Sequence, residues 1–173
     1  MEKPNKLYHG SSLKIEGPLK PILQHTTLDH VHAKPAVFGT ERADIATLFM
    51  FSASTLSSIG YEQNIAYICI WGTPDEFKAK DKGGFLYTLP SKTFEKVGKE
   101  YEWQSFTEVA PEKAEEFHFV IDGMMEKDVQ VYFINDESIF DKIVEDKNNR
   151  APILKNLISE NQKYNKNIKV FKK

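Results

Sequence analysis

Two carboxylates flank an aromatic residue in the run Glu100-Tyr101-Glu102, at the start of a stretch in which apolar and polar residues alternate. Residues two apart on a strand lie on the same face, so both acids would point the same way. Paired acids of this kind act in general acid–base catalysis or stabilise a positively charged transition state. The alternative interpretation is an exposed edge strand that its charges protect from pairing with other chains.

A second candidate is the run Tyr8-His9-Gly10-Ser11, which ends a short predicted strand. Histidine exchanges protons near neutral pH, glycine lets a ligand approach the backbone closely, and the serine hydroxyl donates or accepts a hydrogen bond. Taken alone, the run is more typical of a histidine at the edge of the core that is followed by a turn.

Three histidines lie close together in a proline-flanked segment, His25, His30 and His32, next to Asp29. Two imidazoles two residues apart on a strand can share a metal ion. This segment has no clear third anchor, and the chain has no cysteine spacing of the metal-binding type. We therefore favour a solvated loop or a substrate lid here and predict no metal site.

Short strands are the main elements that must position these residues. Apolar runs, alternation and turn residues predict strands at 6–9, 35–38, 65–71, 85–89, 101–109 and 129–134. Helices are predicted after Thr40, which would cap the first turn, from Pro111, near 136–146 and at 151–162. A long loop is predicted over 13–34 and a frayed, lysine-rich end from about 163 to 173. We expect one α+β domain over residues 1–173, with mainly antiparallel strands.

Composition narrows the function classes. With 40% hydrophobic and 12% aromatic residues among 173, the chain can bury a core, which excludes disorder throughout. A net charge of −2 gives no general attraction to nucleic acid or acidic membrane. No leader-type or membrane-spanning apolar run is present and Cys69, the single cysteine, lies in an apolar strand, so we expect a cytoplasmic protein without a membrane partner. Arg42 and Arg150 are the only arginines, which makes Arg42 a candidate for binding phosphate.

In chain order these runs resemble the motifs of the ADP-ribosyltransferase superfamily, specifically its His-Tyr-Glu branch, which includes the poly(ADP-ribose) polymerases. Leu7-Tyr8-His9-Gly10-Ser11 is similar to the first-strand motif. Val37-Phe38-Gly39-Thr40-Glu41-Arg42-Ala43 is similar to the short strand that enters a helix. Lys99-Glu100-Tyr101-Glu102-Trp103 is similar to the strand that begins with the catalytic glutamate. The portion from about residue 112 onward matches nothing in the family.

The resemblance implies split antiparallel β-sheets with flanking helices and NAD bound as a substrate in a cleft between two small sheets. The bond between nicotinamide and ribose would break through a transition state with positive charge on the ribose. His9 would hydrogen-bond the adenosine ribose, and the Gly10 backbone would hold the nicotinamide amide. Ser11 would add a hydroxyl contact, and Phe38 would pack against the nicotinamide ring.

The resemblance leaves two glutamates as candidates for the catalytic acid. Glu100 matches the acid-Tyr pattern of the polymerase branch, and Glu102 matches the second acid of the Glu-x-Glu pair in arginine-modifying members. We favour Glu102, because Trp103 after it gives a strand start with an inward neighbour, and Glu100 would then orient the acceptor or act as base. Arg42 could reach a phosphate of NAD, although a surface role is the better interpretation.

The departures from the family's pattern shape the functional hypothesis. Phe38 stands where this branch usually has Tyr, the loop before the glutamate is short, and no helical regulatory domain is present. We therefore predict a glycosyltransferase that moves single ADP-ribose units, a mono-ADP-ribosyltransferase, whose acceptor is a protein, a nucleic acid or a small molecule. One alternative, which Phe38 favours, is a catalytically silent nucleotide-binding or protein-interaction module of the same fold. Another is an NAD-dependent RNA 2′-phosphotransferase, which would need basic residues that here cluster mainly in the tail.

Overall fold

The protein is analysed as a computed structural model, which describes residues 3–23, 34–51, 57–62, 64–97, 101–144, 152–156, 159 and 168–172. At 58–59, 61–62 and 168–172 it describes the backbone alone. The elements in chain order are β1 (Lys6–Ser11), β2 (Val37–Thr40), α1 (Ala43–Thr47), β3 (Ser57–Glu62), β4 (Ile65–Trp71), α2 (Pro74–Lys78), β5 (Gly84–Pro90), β6 (Glu95–Lys96), β7 (Glu102–Ser105), β8 (Lys113–Phe117), α3 (Val120–Glu126), β9 (Gln130–Asn135), α4 (Glu137–Val144) and β10 (Ile168–Lys172).

The chain forms two compact units, each made of two segments. One unit comprises Met1–Met50 and Gly84–Glu116, and the other comprises Phe51–Gly83 and Phe117–Lys173. Among the described residues, the first unit has a sheet with helix α1 and the second a sheet with α2, α3 and α4, so the α+β class is confirmed. A single domain over residues 1–173 stays a prediction.

The first unit is built on a six-stranded sheet with the order β6-β7-β2-β1-β5-β8. β1 pairs antiparallel with β5 along its whole length, from Lys6 opposite Pro90 to Ser11 opposite Phe85. β2 and β6 each pair antiparallel with β7. This is the antiparallel sheet that the short alternating strands predict.

β1 and β2 are neighbours over a much shorter length than β1 and β5. Their register consists of Tyr8 opposite Thr40, whereas β1 continues through His9 to Ser11 beside β5. The two central strands of the sheet therefore separate beyond Tyr8. We call the gap that opens at His9 the β1–β2 split.

One face of this sheet carries the core of the unit. Alternate residues of β1, β2, β5 and β7 point to it, as the two-residue period of a strand requires. The buried side chains of this core are Leu7, Leu19, Val37, Tyr87, Leu89, Phe94, Trp103 and Val109. Burying each large side chain of this kind contributes about 1.5–3 kcal/mol relative to exposure, so the face fixes the register of the strands.

Helix α1 packs on the opposite face, directly against Gly10. A Cβ atom built on Gly10 would lie 1.9 Å from the carbonyl oxygen of Ala46. The helix begins later than predicted, because Thr40 ends β2 and Arg42 is the N-cap residue, without a side-chain cap. The Thr40 hydroxyl instead accepts the N–H of Arg42 at 3.2 Å and closes the turn between strand and helix.

The second unit contains a four-stranded sheet in the order β10-β9-β4-β3. β3 and β4 are antiparallel, but β4 and β9, and also β9 and β10, are parallel. This mixed sheet differs from the prediction of mainly antiparallel strands. β4 and β9 are far apart in the chain, and sequence pattern alone does not show in which direction two distant strands pair. Its core comprises Tyr67, Cys69, Tyr132, Ile134, Phe140, Ile143 and Leu154.

Three other predicted elements also differ from those observed. The segment after Pro111 was expected to be helical but forms β8, because pairing beside β5 overrides the helix propensity of its lysine, alanine and glutamates. The strand predicted over 101–109 ends at Ser105, whose hydroxyl bonds the carbonyl and N–H of Thr107 in a turn. The end predicted to fray contributes β10 at Ile168–Lys172.

Candidate functional site

His9 spans the β1–β2 split. Its Nδ1 atom lies 2.8 Å from the carbonyl oxygen of Phe38. A carbonyl oxygen only accepts, so Nδ1 carries the proton and donates, and Nε2 of the neutral ring keeps its lone pair. Burial lowers the pKa of His9, and the bond to the Phe38 carbonyl opposes that shift only in part. At neutral pH the split therefore contains an uncharged imidazole with an acceptor nitrogen.

A cavity of about 330 Å³ opens beside His9. Its walls are mostly apolar, and the polar or charged side chains among them are those of His9, Glu16 and Lys20. The lining residues are His9, Ile15, Glu16, Pro18, Leu19, Lys20, Ile22, Ala36, Val37 and Phe38. An apolar cavity of this size with one buried acceptor is suited to a flat ring or a sugar hydroxyl of a small molecule.

Residues 15–22 form one wall of this cavity, although nothing in their residue types predicts a catalytic role. Leu19 pairs with Val109 and Ile22 with Ala36 through backbone hydrogen bonds, so isolated bridges hold this stretch. The N–H of Ile15 donates to the Tyr87 hydroxyl at 2.7 Å. The loop predicted over 13–34 is thus fixed where it meets the site, and residues 24–33 lie outside the described structure.

Glu102 is the first residue of β7 and is half-buried. It lies opposite Thr40, which in turn lies opposite Tyr8. Paired residues of an antiparallel sheet point to the same face, so Glu102 shares a face with Phe38, two residues before Thr40. The side chain of His9 points to the other face, and Glu102 is not among the residues that line the cavity. Glu100 lies outside the described residues.

Gly10 and Ser11 both have local structural partners. The missing side chain of Gly10 makes room for the Ala46 carbonyl of α1. The Ser11 hydroxyl donates to the Leu13 carbonyl at 2.8 Å and accepts the Leu13 N–H at 3.1 Å, which closes the turn after β1. Both residues lie in β1 beyond Tyr8, where the pairing with β2 ends, and Ser11 uses its hydroxyl in that turn.

The Arg42 guanidinium contacts two neighbouring side chains, those of Asp44 and Tyr101. Its Nε atom donates to Asp44 Oδ1 at 3.0 Å and its Nη2 atom to Asp44 Oδ2, and the guanidinium carbon lies 5.1 Å from the centroid of the Tyr101 ring. The pKa of Arg42 is raised above the ordinary value of an arginine, mainly by the hydrogen bonds to Asp44. The sequence did not single out Asp44 or Tyr101, because residues two apart on a helix face different ways and the pairing depends on the extended backbone of Arg42 just before the helix.

The metal-ligand candidates find no support among the described residues. No group of three or more His, Cys, Asp or Glu side chains there could hold a metal ion. His25, His30 and His32 fall outside the described stretches. Cys69 is fully buried in β4, in agreement with its interpretation as a strand cysteine.

Comparison with protein-family models, with curated proteins and with solved structures finds no match for this chain. In the part of the chain that the structure describes, no helix has both the length and the apolar character needed to cross a membrane.

Proposed function

We propose that this protein is an NAD-dependent mono-ADP-ribosyltransferase with a split-sheet fold of the ADP-ribosyltransferase type. One observation carries the proposal. The three motifs of the resemblance, far apart in sequence, belong to the adjacent strands β1, β2 and β7, and β1 and β2 separate at His9, where a cavity opens.

The residues at the split are suited to the steps that the reaction needs. Nε2 of neutral His9 accepts a hydrogen bond from a ribose hydroxyl. Phe38 shares the face of Glu102 and is 9% exposed, so nicotinamide would stack on its ring only once that ring is uncovered. The bond from ribose C1′ to the nicotinamide nitrogen breaks, and its electron pair leaves with neutral nicotinamide. The Glu102 carboxylate stabilises the positive charge on the ribose. The acceptor's nucleophilic atom then bonds to C1′ and loses its proton.

The test measures nicotinamide release from NAD by the purified protein and by variants of its carboxylates. We expect Glu102→Gln to lower kcat by about 10²–10³ while NAD still raises the melting temperature. His9→Ala should weaken NAD binding. Glu108→Gln, an exposed acid just beyond β7, is the matched control and should keep parental activity.

The outcomes separate the parts of this proposal. If Glu102→Gln and His9→Ala both turn over NAD like the parent protein, the site is misplaced. If Glu100→Gln is the inactive variant, the site stands and the choice of acid is wrong.

A nucleotide-binding module without catalysis is the second candidate. It is favoured by the cavity, whose lining includes His9 and Phe38 but not Glu102. For this module, NAD would raise the melting temperature of the parent protein and of Glu102→Gln equally, with no nicotinamide released from either. An RNA 2′-phosphotransferase is less well supported, because Lys20 is the one basic residue among those described at the cavity.

A further inference from the structure

We infer that Arg42 is a positioning residue that holds the start of β7, and with it Glu102, rather than a ligand for a phosphate. The inference on catalysis rests on the proposed function, whereas the contact itself does not. The contact between Arg42 and Tyr101 joins the β2–α1 junction to the segment that leads into β7.

The pair of Arg42 and Asp44 fixes the guanidinium plane. Both nitrogens on one edge of the guanidinium donate to the two carboxylate oxygens, and the side chains are only 19% and 17% exposed. This two-point geometry is the one that arginine uses to bind a phosphate. Because Asp44 occupies that edge, a phosphate could not use this two-point geometry without displacing the carboxylate.

The fixed guanidinium lies over Tyr101, with 5.1 Å between its carbon and the ring centroid. Tyr101 immediately precedes Glu102, and Glu102 is held opposite Thr40. The β2–α1 junction thus contacts two consecutive residues at the start of β7, one through the sheet register and one through Arg42. A planar cation can stack on an aromatic ring in this way, whereas a lysine ammonium cannot reproduce both the stacking and the paired hydrogen bonds.

Hydrogen exchange tests the contact without any assay of activity. In Arg42→Ala and in Tyr101→Ala we expect the amides of a peptide over residues 97–106 to exchange about three- to ten-fold faster than in the parent. The double variant should exchange no faster than either single variant, since both remove the same contact. Lys78→Ala removes a similar contact with Phe119 in the other unit and should leave this peptide unchanged.

Kinetics tests the consequence for Glu102. If Arg42 acts by positioning, Arg42→Ala, Tyr101→Ala and Asp44→Ala each lower kcat for NAD cleavage, by about ten- to a hundred-fold, while KM for NAD stays the same. If Arg42 binds a phosphate, Arg42→Ala raises KM and Tyr101→Ala has no effect, and the inference fails. Arg42→Lys keeps the positive charge and replaces the alanine variant if that variant does not fold. Because lysine cannot make both contacts, Arg42→Lys should show the same faster exchange.

The two readouts keep this inference apart from the proposed function. Unchanged exchange in the Arg42 and Tyr101 variants overturns the contact, whatever the activity. A parent protein that releases no nicotinamide refutes the transferase proposal, and faster exchange in that protein still supports the contact between Arg42 and the start of β7.

Discussion

Gly10→Ala would force a side-chain atom into the backbone of α1. The added Cβ would lie 1.9 Å from the Ala46 carbonyl oxygen and 3.3 Å from Met50 Cγ. Contacts of a Cβ atom shorter than 3.0 Å essentially do not occur, so α1 and β1 would have to move apart by about 1.1 Å. The obstacle is a backbone atom, so no change of rotamer can relieve it.

The cost of this substitution follows from the packing of α1. Forcing an extra carbon into a packed contact costs about 1–3 kcal/mol. For a chain of this length, each kcal/mol lowers the melting temperature by about 2–4 °C, so Gly10→Ala should melt roughly 2–12 °C below the parent. Thermal unfolding followed by circular dichroism measures this directly.

Gly39→Ala on the adjacent strand β2 is the matched control. There the added Cβ would meet its nearest neighbour, Leu7 Cβ, at 3.3 Å, so a shift of a few tenths of an ångström suffices and the loss should be smaller. In the double variant Gly10→Ala/Met50→Ala, stability should not return, because the contact with Ala46 remains. A Gly10→Ala protein that melts with the parent, or that Met50→Ala rescues, would refute the packing of α1 on β1.

Two further predictions concern the partly buried polar side chains of His9 and Asp81. Burial lowers the pKa of His9 from the 6.5 of the free side chain, so the stability of the neutral ring is complete above about pH 6.5 and is lost as the pH falls through the folded-state pKa. The urea midpoint should therefore fall more on acidification in the parent than in His9→Gln, with His118→Gln, an exposed histidine, as control. Asp81 accepts hydrogen bonds from the N–H groups of Gly83 at 2.9 Å and of Val120, at the start of α3, at 2.8 Å. Asp81→Ala should lower the free energy of unfolding by about 1–2 kcal/mol, and Asp141→Ala, exposed on α4, by less than about 0.5 kcal/mol.

The sequence predicts the strands well where the pattern is local. The apolar run 65–71 gives β4 with the predicted bounds, since Gly72 and Pro74 end it. β2 begins at Val37 instead of Pro35, because proline has no N–H to donate to a sheet. The segment that forms β8 could not be assigned this way, because its own residues favour a helix and the pairing that overrides them comes from elsewhere in the chain.

For the same reason, the sequence predicts some residues of the candidate site and misses others. His9 and Phe38 are recognisable as residue types in a motif, but the bond between the His9 ring and the Phe38 backbone depends on where β1 and β2 separate. Ile15 and Ile22 carry no chemical signal, and they reach the cavity through pairing with distant parts of the unit. Tyr101 likewise reaches Arg42 only when β7 lies beside β2.

The sheet faces to which His9 and Glu102 point determine which ligand could contact both side chains. The His9 side chain points to the core face of the sheet and Glu102 to the face that it shares with Phe38, so a ligand confined to the cavity contacts His9 without Glu102. Under the proposed function, NAD would have to extend out of the cavity to reach Glu102, because the His9 ring bridges the β1–β2 split to the Phe38 carbonyl and α1 packs against Gly10 on the other face. An adenosine fragment should therefore bind through His9 alone and be insensitive to Glu102→Gln. Under the proposed function, cleavage needs the whole of NAD, so Glu102→Gln should lower kcat for nicotinamide release and leave the affinity for adenosine unchanged.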